Sequence, residues 1–258
     1  QVRKVAAAAQ AAGIPIRVGA NAGSVPPALL AAKRAAGMDR DTALTEALVE
    51  CALGQCRLLE ECEFRNLKVS LKAADVPVCI AACRRFAALT DYPLHLGITE
   101  AGTLRRGTVK SVSGMAILLA EGIGDTLRVS LTADPVEEVR TGILLLESLG
   151  LRPADPELIS CPTCGRTEIN LFALAESVER EIEALHAAGQ SLRGRRIAIM
   201  GCAVNGPGEA RDADLGLAGG KDRVTVFRHG ESLGSWPEAE AWSVFQRELR
   251  KLAARPDP

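Results

Sequence analysis

The chain has 258 residues, of which 47% are hydrophobic, 24% charged and 3% aromatic, and its formal net charge is −1. This composition is typical of a globular protein, and neither its net charge nor its few aromatic residues indicate a general nucleic-acid or membrane partner. No apolar run reaches the roughly 18 residues of a membrane helix. Eight cysteines without a secretory signal indicate thiols or metal ligands in a reducing cytoplasm.

Four strand-then-helix units are predicted first. The strands are IPIRVGA (14–20), LKVSLKA (67–73), LHLGITEAG (94–102) and TLRVSLTA (126–133). Because β-strands and helices alternate at this spacing, we expect an α/β domain with a parallel sheet and right-handed crossovers. The chain opens at Gln1 on an uncapped helical pattern, which is expected where a sequence starts inside a domain.

A Pro-rich linker at 152–157 separates residues 1–152 from a second region, 153–258. There we expect a helix near 168–188, a strand at 195–201 that ends at Cys202, and short strands near 214–218 and 223–228. A closing helix is predicted over 237–254, since Pro237 suits a first helical turn. The second region is therefore predicted to be a small α/β domain.

Three cysteines of the second region form a candidate metal site. Cys161 and Cys164 form a CxxC motif, and Cys202 follows 38 positions later. Three thiolates leave one iron of a cluster open to another ligand, for which Glu209 is the nearest carboxylate. The intervening Gly-Pro-Gly at 206–208 can turn the chain back toward the metal. Structural zinc, with Glu209 or water as the fourth ligand, fits the same spacing.

The remaining cysteines are predicted to pack as small hydrophobic residues. They lie on two predicted helices: Cys51, Cys56 and Cys62 on one, and Cys79 and Cys83 on the other.

Polar side chains recur with a period of two along the predicted strands. Lys68, Ser70 and Lys72 share one face of a strand; the other polar positions are Arg17, Asn21, Arg128 and Ser130. We expect Arg17, Lys72 and Arg128 to meet at the C-terminal ends of the strands and to bind phosphate there. Ion pairing at the sheet end is the alternative.

Two further residues of the predicted third strand have side chains that could act in catalysis or binding. Glu100 at its end is a candidate proton donor or acceptor. His95 lies between leucines, so a core histidine with satisfied hydrogen bonds is an alternative to a functional role.

Six long motifs occur in a fixed order: IPIRVGANAGS, VSLKAADVP, PLHLGITEAG, GIGDTLRVSLTADPVEEV, ISCPTCGRTE and MGCAVNGPGEARDADLGLAGG. Together they resemble the 4-hydroxy-3-methylbut-2-enyl diphosphate synthase family of the methylerythritol phosphate isoprenoid pathway. The resemblance covers about residues 1 to 230 and favours iron–sulfur over zinc.

The resemblance implies a TIM-type (β/α)8 barrel joined to a small α/β iron–sulfur domain of the sulfite/nitrite reductase-like type. The four βα units match the second half of that barrel, so the first half is expected to be absent from this chain. The implied reaction is reductive ring opening and dehydroxylation of 2-C-methyl-D-erythritol 2,4-cyclodiphosphate. A flavodoxin or ferredoxin is the implied electron donor, and a head-to-tail homodimer the implied assembly.

The resemblance also assigns roles to individual residues. Cys161, Cys164, Cys202 and Glu209 are implied ligands of a [4Fe-4S] cluster, and Glu100 is the implied active-site acid. The implied substrate-binding residues are Arg17, Asn21, Lys72, Arg128, Ser130 and Asn205. A zinc-stapled, non-catalytic binding module and an iron–sulfur electron carrier remain the alternatives.

Overall fold

The computed structural model describes residues 1–202 and 211–254. The chain divides into two compact units, Gln1–Leu151 and a second that starts at Arg152. Two of the predicted site residues, Asn205 and Glu209, lie outside the described residues. No helix in the described ranges is long and apolar enough to cross a membrane.

The first unit alternates helices with short strands in the predicted order. Its elements are α1 (Val2–Ala12), β1 (Ile16–Asn21), a 3-10 turn (Ala22–Ser24), α2 (Pro27–Ala35), α3 (Arg40–Glu60), β2 (Leu67–Lys72), α4 (Val76–Ala87), β3 (His95–Leu96), α5 (Leu104–Ala120), β4 (Thr126–Leu127) and α6 (Pro135–Ser148). Aspartates cap three helices: Asp39, Asp75 and Asp134 each accept a backbone N–H from the first turn. Such caps satisfy donors that have no partner inside the helix.

The strands of the first unit run parallel and in sequence order. β1 pairs with β2, and β3 pairs with β4. A parallel bridge between Val69 and Leu94 links β2 to β3. In the described part of the chain, β1 and β4 are each paired on one side only.

The third and fourth strands are shorter than predicted. After β3, the backbone φ angles of Glu100 (53°) and Gly102 (117°) are positive, which is incompatible with continuation of the strand to residue 102. After β4, the backbone N–H of Leu131 donates to the carboxylate of Glu138 on α6 at 2.7 Å instead of to a neighbouring strand. Only an isolated bridge between Thr103 and Thr132 continues the pairing.

The two faces of this sheet differ sharply in polarity. One face carries alternate apolar residues, including Val69, Leu71 and Leu96, which are buried against the helices. Cys79 and Cys83 on α4 belong to this core, as does Cys56 on α3, while Cys51 and Cys62 are partly buried against it. The opposite face carries the polar residues described below.

The second unit is built on one five-stranded sheet. Its elements are β5 (Glu157–Ser160), α7 (Leu171–Ala187), β6 (Arg196–Met200), β7 (Leu215–Gly220), β8 (Arg223–Arg228), β9 (Glu231–Trp236) and α8 (Glu238–Ala253). The strands lie in sequence order, with β5, β6 and β7 parallel and the β7–β8 and β8–β9 pairs antiparallel. Val178 on α7 and Phe245 and Leu249 on α8 are fully buried in its core.

Strand β9 was not predicted from the sequence. It follows β8 through a two-residue turn in which His229 (φ 48°) and Gly230 (φ 77°) both have positive φ. Two successive positive φ values are typical of tight hairpin turns, and glycine at the second position is the usual sequence signal. The signal was weak here because histidine, rather than asparagine or aspartate, precedes the glycine.

Candidate functional sites

The polar face of the first sheet is formed by laterally paired residues. Arg17 pairs with Lys68, Gly19 with Ser70, Asn21 with Lys72, and His95 with Thr126. Residues paired in this way point to the same side of a parallel sheet. Arg128 continues this face, since its backbone N–H donates to the carbonyl of Leu96 at 2.9 Å. The strands therefore place four cations, Arg17, Lys68, Lys72 and Arg128, on one surface, which we call the cationic face.

The cationic face is an electrostatically unfavourable arrangement when it is empty of anions. Burial lowers the pKa of Lys72 to about 8, and the charges of Arg128 and Arg17 contribute to this shift. None of the four cations forms an ion pair with a carboxylate in the described ranges. The ion-pair alternative for Arg17, Lys72 and Arg128 therefore finds no support in the described structure.

Arg128 has a donor with no acceptor. Its Nε is buried and has no hydrogen-bond partner in the described structure. A buried donor without a partner costs about 1–3 kcal/mol, which an incoming anionic oxygen can recover. The close approach of Gly97 fixes the Arg128 backbone, since a Cβ on Gly97 would lie 2.8 Å from the Arg128 carbonyl oxygen.

The structure corrects the predicted position of Arg17. Arg17 is the second residue of β1 and pairs with Lys68 near the start of β2, whereas Lys72 is the last residue of β2. The cations therefore do not all meet at the strand ends, because the polar pattern extends along the strands.

Three other predicted residues lie beside the C-terminal ends of these strands. Asn21 ends β1, and its Oδ1 accepts the N–H of Gly23 at 3.2 Å. Ser130 follows β4 and is half-buried. Glu100 follows β3 in an exposed loop.

His95 lies on the polar face rather than in the apolar core. Its Nδ1 is 2.9 Å from the hydroxyl oxygen of Thr126, and the ring is half-buried. The alternative prediction that His95 is a core residue is therefore wrong, although the predicted hydrogen bond to its ring is present. Sequence reasoning missed Thr126, whose only signal was its position two residues before Arg128.

The second unit brings two of its cysteines to one edge of the sheet. Cys161 directly follows β5, and Cys202 follows β6 by two residues. Because β5 and β6 are parallel neighbours, their C-terminal ends meet at the same edge. The backbone N–H of Cys161 donates to the carbonyl of Ile199 at 3.3 Å, and its Sγ accepts the N–H of Gly201 at 3.2 Å.

The CxxC loop is held against the end of β6. The N–H of Cys164 donates to Oγ1 of Thr167 at 3.0 Å, and Thr167 returns its own N–H to the Cys164 carbonyl at 2.9 Å. Gly201 permits this approach, since a Cβ there would lie 2.9 Å from the Thr167 side chain. Cys164 is exposed, and Cys161 and Cys202 are half-buried.

The donor set at this sheet edge is made of sulfur. Cysteine thiolates are the usual ligands of iron–sulfur clusters and also bind structural zinc. Among the described residues, no group of three or more His, Cys, Asp or Glu side chains is arranged to hold one metal ion. Hydrogen bonds to sulfur, such as that from the Gly201 N–H to the Cys161 Sγ, tune the potential of a cluster where one is bound.

Two family profiles together cover most of the chain. The GcpE TIM-barrel domain matches residues 1–143, and the GcpE protein C-terminal domain matches residues 157–251. The chain belongs to the GcpE family. This membership confirms the predicted family and gives a TIM-barrel domain within an α/β protein.

Curated relatives of this GcpE-family chain are named 4-hydroxy-3-methylbut-2-en-1-yl diphosphate synthase (flavodoxin). The protein of Geobacter sulfurreducens is 50% identical over 254 residues, which cover 98% of this chain and 68% of the relative. That of Desulfotalea psychrophila is 50% identical over 249 residues, 96% of this chain and 66% of the relative. That of Frankia casuarinae is 48% identical over 253 residues, 98% of this chain and 62% of the relative. The chain thus spans roughly two thirds of the length of these relatives.

Proposed function

We propose that this chain takes part in the reductive ring opening and dehydroxylation of 2-C-methyl-D-erythritol 2,4-cyclodiphosphate to 4-hydroxy-3-methylbut-2-enyl diphosphate. The observation that carries the proposal is the cationic face, with its unpaired charges and the partnerless Nε of Arg128. An anionic ligand would reduce the repulsion among the cations and would accept a hydrogen bond from the Arg128 Nε. The names of the curated relatives support this substrate and reaction.

The first unit, residues 1–152, binds the cyclic diphosphate in this proposal. Arg17, Lys72 and Arg128 neutralise its phosphate oxygens, and Asn21 and Ser130 donate hydrogen bonds to them. The four parallel βα units form the second half of an eight-unit barrel, which agrees with β1 and β4 being paired on one side only in the described part.

Glu100 handles the proton in this proposal. Its carboxyl group lies in an exposed loop after β3, at the same edge of the sheet as Lys72, the last residue of β2. From there it holds or delivers a proton at the hydroxyl oxygen that leaves the substrate.

The second unit, residues 153–258, holds a [4Fe-4S] cluster. Cys161, Cys164, Cys202 and Glu209 are its proposed ligands, and Asn205 is a polar group beside it; the thiols' position at one sheet edge supports this assignment. When bound, such a cluster supplies the two electrons of the reaction one at a time. We propose a sulfite/nitrite reductase-like fold for this unit, a flavodoxin or ferredoxin as donor, a cytoplasmic location and a head-to-tail homodimer.

Anaerobic purification tests the proposed cofactor. Protein purified and reconstituted without oxygen should be brown, with broad absorption near 400 nm and about four iron and four sulfide per chain. Stoichiometric zinc in colourless protein would instead establish the zinc-stapled module. An iron–sulfur electron carrier has no need to bind phosphate. Tight binding of pyrophosphate by the same preparation would therefore show that the protein is more than an electron carrier.

A further inference from the structure

His95 lies within the cationic face but takes no part in the proposed substrate contacts. Its Nδ1 is 2.9 Å from the Thr126 hydroxyl oxygen, and its Nε2 has no hydrogen-bond partner among the described residues. The half-buried ring lies on the same face as Ser70 and Lys72, because Val69 bridges to Leu94. One ring nitrogen is thus available to a ligand on this face.

In the part of the chain that the structure describes, the charges that act on His95 most strongly are positive. They come from three strands: Arg17 from β1, Lys68 and Lys72 from β2, and Arg128 from just after β4. Lys68 also reaches the partner of His95, since its Nζ is 3.5 Å from the Thr126 hydroxyl oxygen. The other two histidines differ: His186 lies 3.2 Å from Asp155 and His229 lies 4.0 Å from Asp214.

These surroundings keep the imidazole neutral in the absence of an anion. Burial and then the four positive charges lower the pKa of His95 to about 4. A diphosphate bound to the same cations would cancel much of their field and add negative charge beside the ring. Both changes favour the imidazolium form.

We propose that His95 is a binding residue of the cationic face, which takes up a proton from water when a diphosphate group binds and then donates a hydrogen bond to it. The inference rests on the proposed function only in that the cationic face binds a diphosphate. It does not depend on the cluster or on turnover.

The small number of histidines makes the test direct. The chain has three, so an NMR spectrum of the imidazole Hε1 protons should show three signals that single substitutions assign. Titration between pH 3 and 8, with and without inorganic pyrophosphate, should raise the midpoint of the His95 signal from about 4 to about 6.5, a shift of roughly two and a half pH units. At fixed pH, pyrophosphate should leave the His186 and His229 signals in place, because neither residue lies on the cationic face.

Affinity measurements on His95→Asn provide the second arm. The variant keeps a hydrogen-bonding side chain for Thr126 but cannot accept a proton in this range. Relative to the parent, its pyrophosphate affinity should be lower by roughly tenfold at pH 5.5 and nearly equal at pH 8. The ionisation of pyrophosphate cancels in this ratio, and Lys72, whose pKa is about 8, is protonated throughout the lower range. The matched control is His229→Asn, which should bind as the parent does.

The outcomes separate this inference from the function on which it rests. Pyrophosphate binding with an unmoved His95 midpoint and a pH-independent affinity ratio would overturn the inference and leave the anion site intact. Failure of the folded parent to bind pyrophosphate at all would overturn both. Because His95→Asn can unfold, the NMR titration of the parent decides the inference without it.

Discussion

The two units use the ends of parallel strands in different ways. In the first unit, functional side chains project from the strands themselves and occupy one whole face of the sheet. In the second unit, the sheet carries apolar residues, and the reactive cysteines follow the strands in loops. The first arrangement spreads charge over several strands, whereas the second concentrates sulfur at one edge.

This difference determines which substitutions each unit tolerates. A charge contributed by one of four cations is partly replaceable by the other three, so losses on the cationic face should be graded. If the three thiols bind one cluster, as proposed, none can replace another, so substitution of any one of them should abolish cluster binding. The proposed sites are also chemically independent, so each set of variants should leave the other site unchanged.

The largest effect is expected from Cys164→Ser. Cys164 is exposed, and its loop is closed by backbone and side-chain hydrogen bonds with Thr167. A serine hydroxyl is a poor iron ligand, so iron content after anaerobic reconstitution should fall from about four per chain to near zero. Pyrophosphate affinity should remain that of the parent.

The control for this substitution is Cys79→Ser. Cys79 is buried on α4 with its Sγ 3.5 Å from the Leu71 carbonyl oxygen, so serine can keep that hydrogen bond. Its iron content should equal that of the parent. Equal iron content in Cys164→Ser and the parent would remove Cys164 from the proposed site.

A graded loss is expected on the cationic face. Arg128→Ala removes a charged donor whose Nε has no partner in the structure, and hydrogen bonds to charged groups contribute about 1.5–3 kcal/mol. Calorimetry should therefore show pyrophosphate binding weaker by about 10- to 100-fold, with the cluster unaffected.

Arg85→Ala is the matched control for Arg128. Arg85 pairs with Glu46 at 3.4 Å between the outer helices α4 and α3, away from the polar face. Its loss should leave the affinity for pyrophosphate unchanged. If Arg85→Ala weakened binding as much as Arg128→Ala, the affinity for pyrophosphate would depend on the net charge of the protein rather than on the cationic face.

Two glycine substitutions within the first unit should give smaller effects of opposite sign. A Cβ on Gly97 would meet the backbone carbonyl of Arg128 at 2.8 Å, and backbone atoms cannot rotate away. Gly97→Ala should lower the free energy of unfolding of the first unit by about 1–3 kcal/mol and weaken pyrophosphate binding. Gly54→Ala on α3 meets no atom within 4 Å, so it should raise stability by about 0.5–1 kcal/mol. Urea midpoints of the two variants should move in opposite directions.

The sequence predicted the order of the elements well because their periodicity is local. It also placed Lys72 near the end of its strand and Cys161 and Cys202 directly after theirs, close to where the structure has them. It could not give the lengths of β3 and β4, because the positive φ of Glu100 and the contact of Glu138 with Leu131 depend on tertiary structure. The environment of His95 was also inaccessible, since its neighbours come from three strands that only the sheet register aligns.

The contribution of His95 to the pH dependence of stability should be the smallest effect, and it concerns the cationic face. The pKa of His95 is lowered from 6.5 to about 4 by burial and by the four cations, so between these values the unfolded chain binds a proton that the folded chain does not. The free energy of unfolding therefore rises with pH from 4 to 6.5 and gains nothing further from His95 above that range. Since the ring is half-exposed, we expect a contribution on the order of 1 kcal/mol after allowance for solvent screening. Urea denaturation should therefore show that the stability of His95→Asn relative to the parent is greater at pH 5 than at pH 7. A stability difference that did not vary with pH would show that these cations do not shift the pKa of His95.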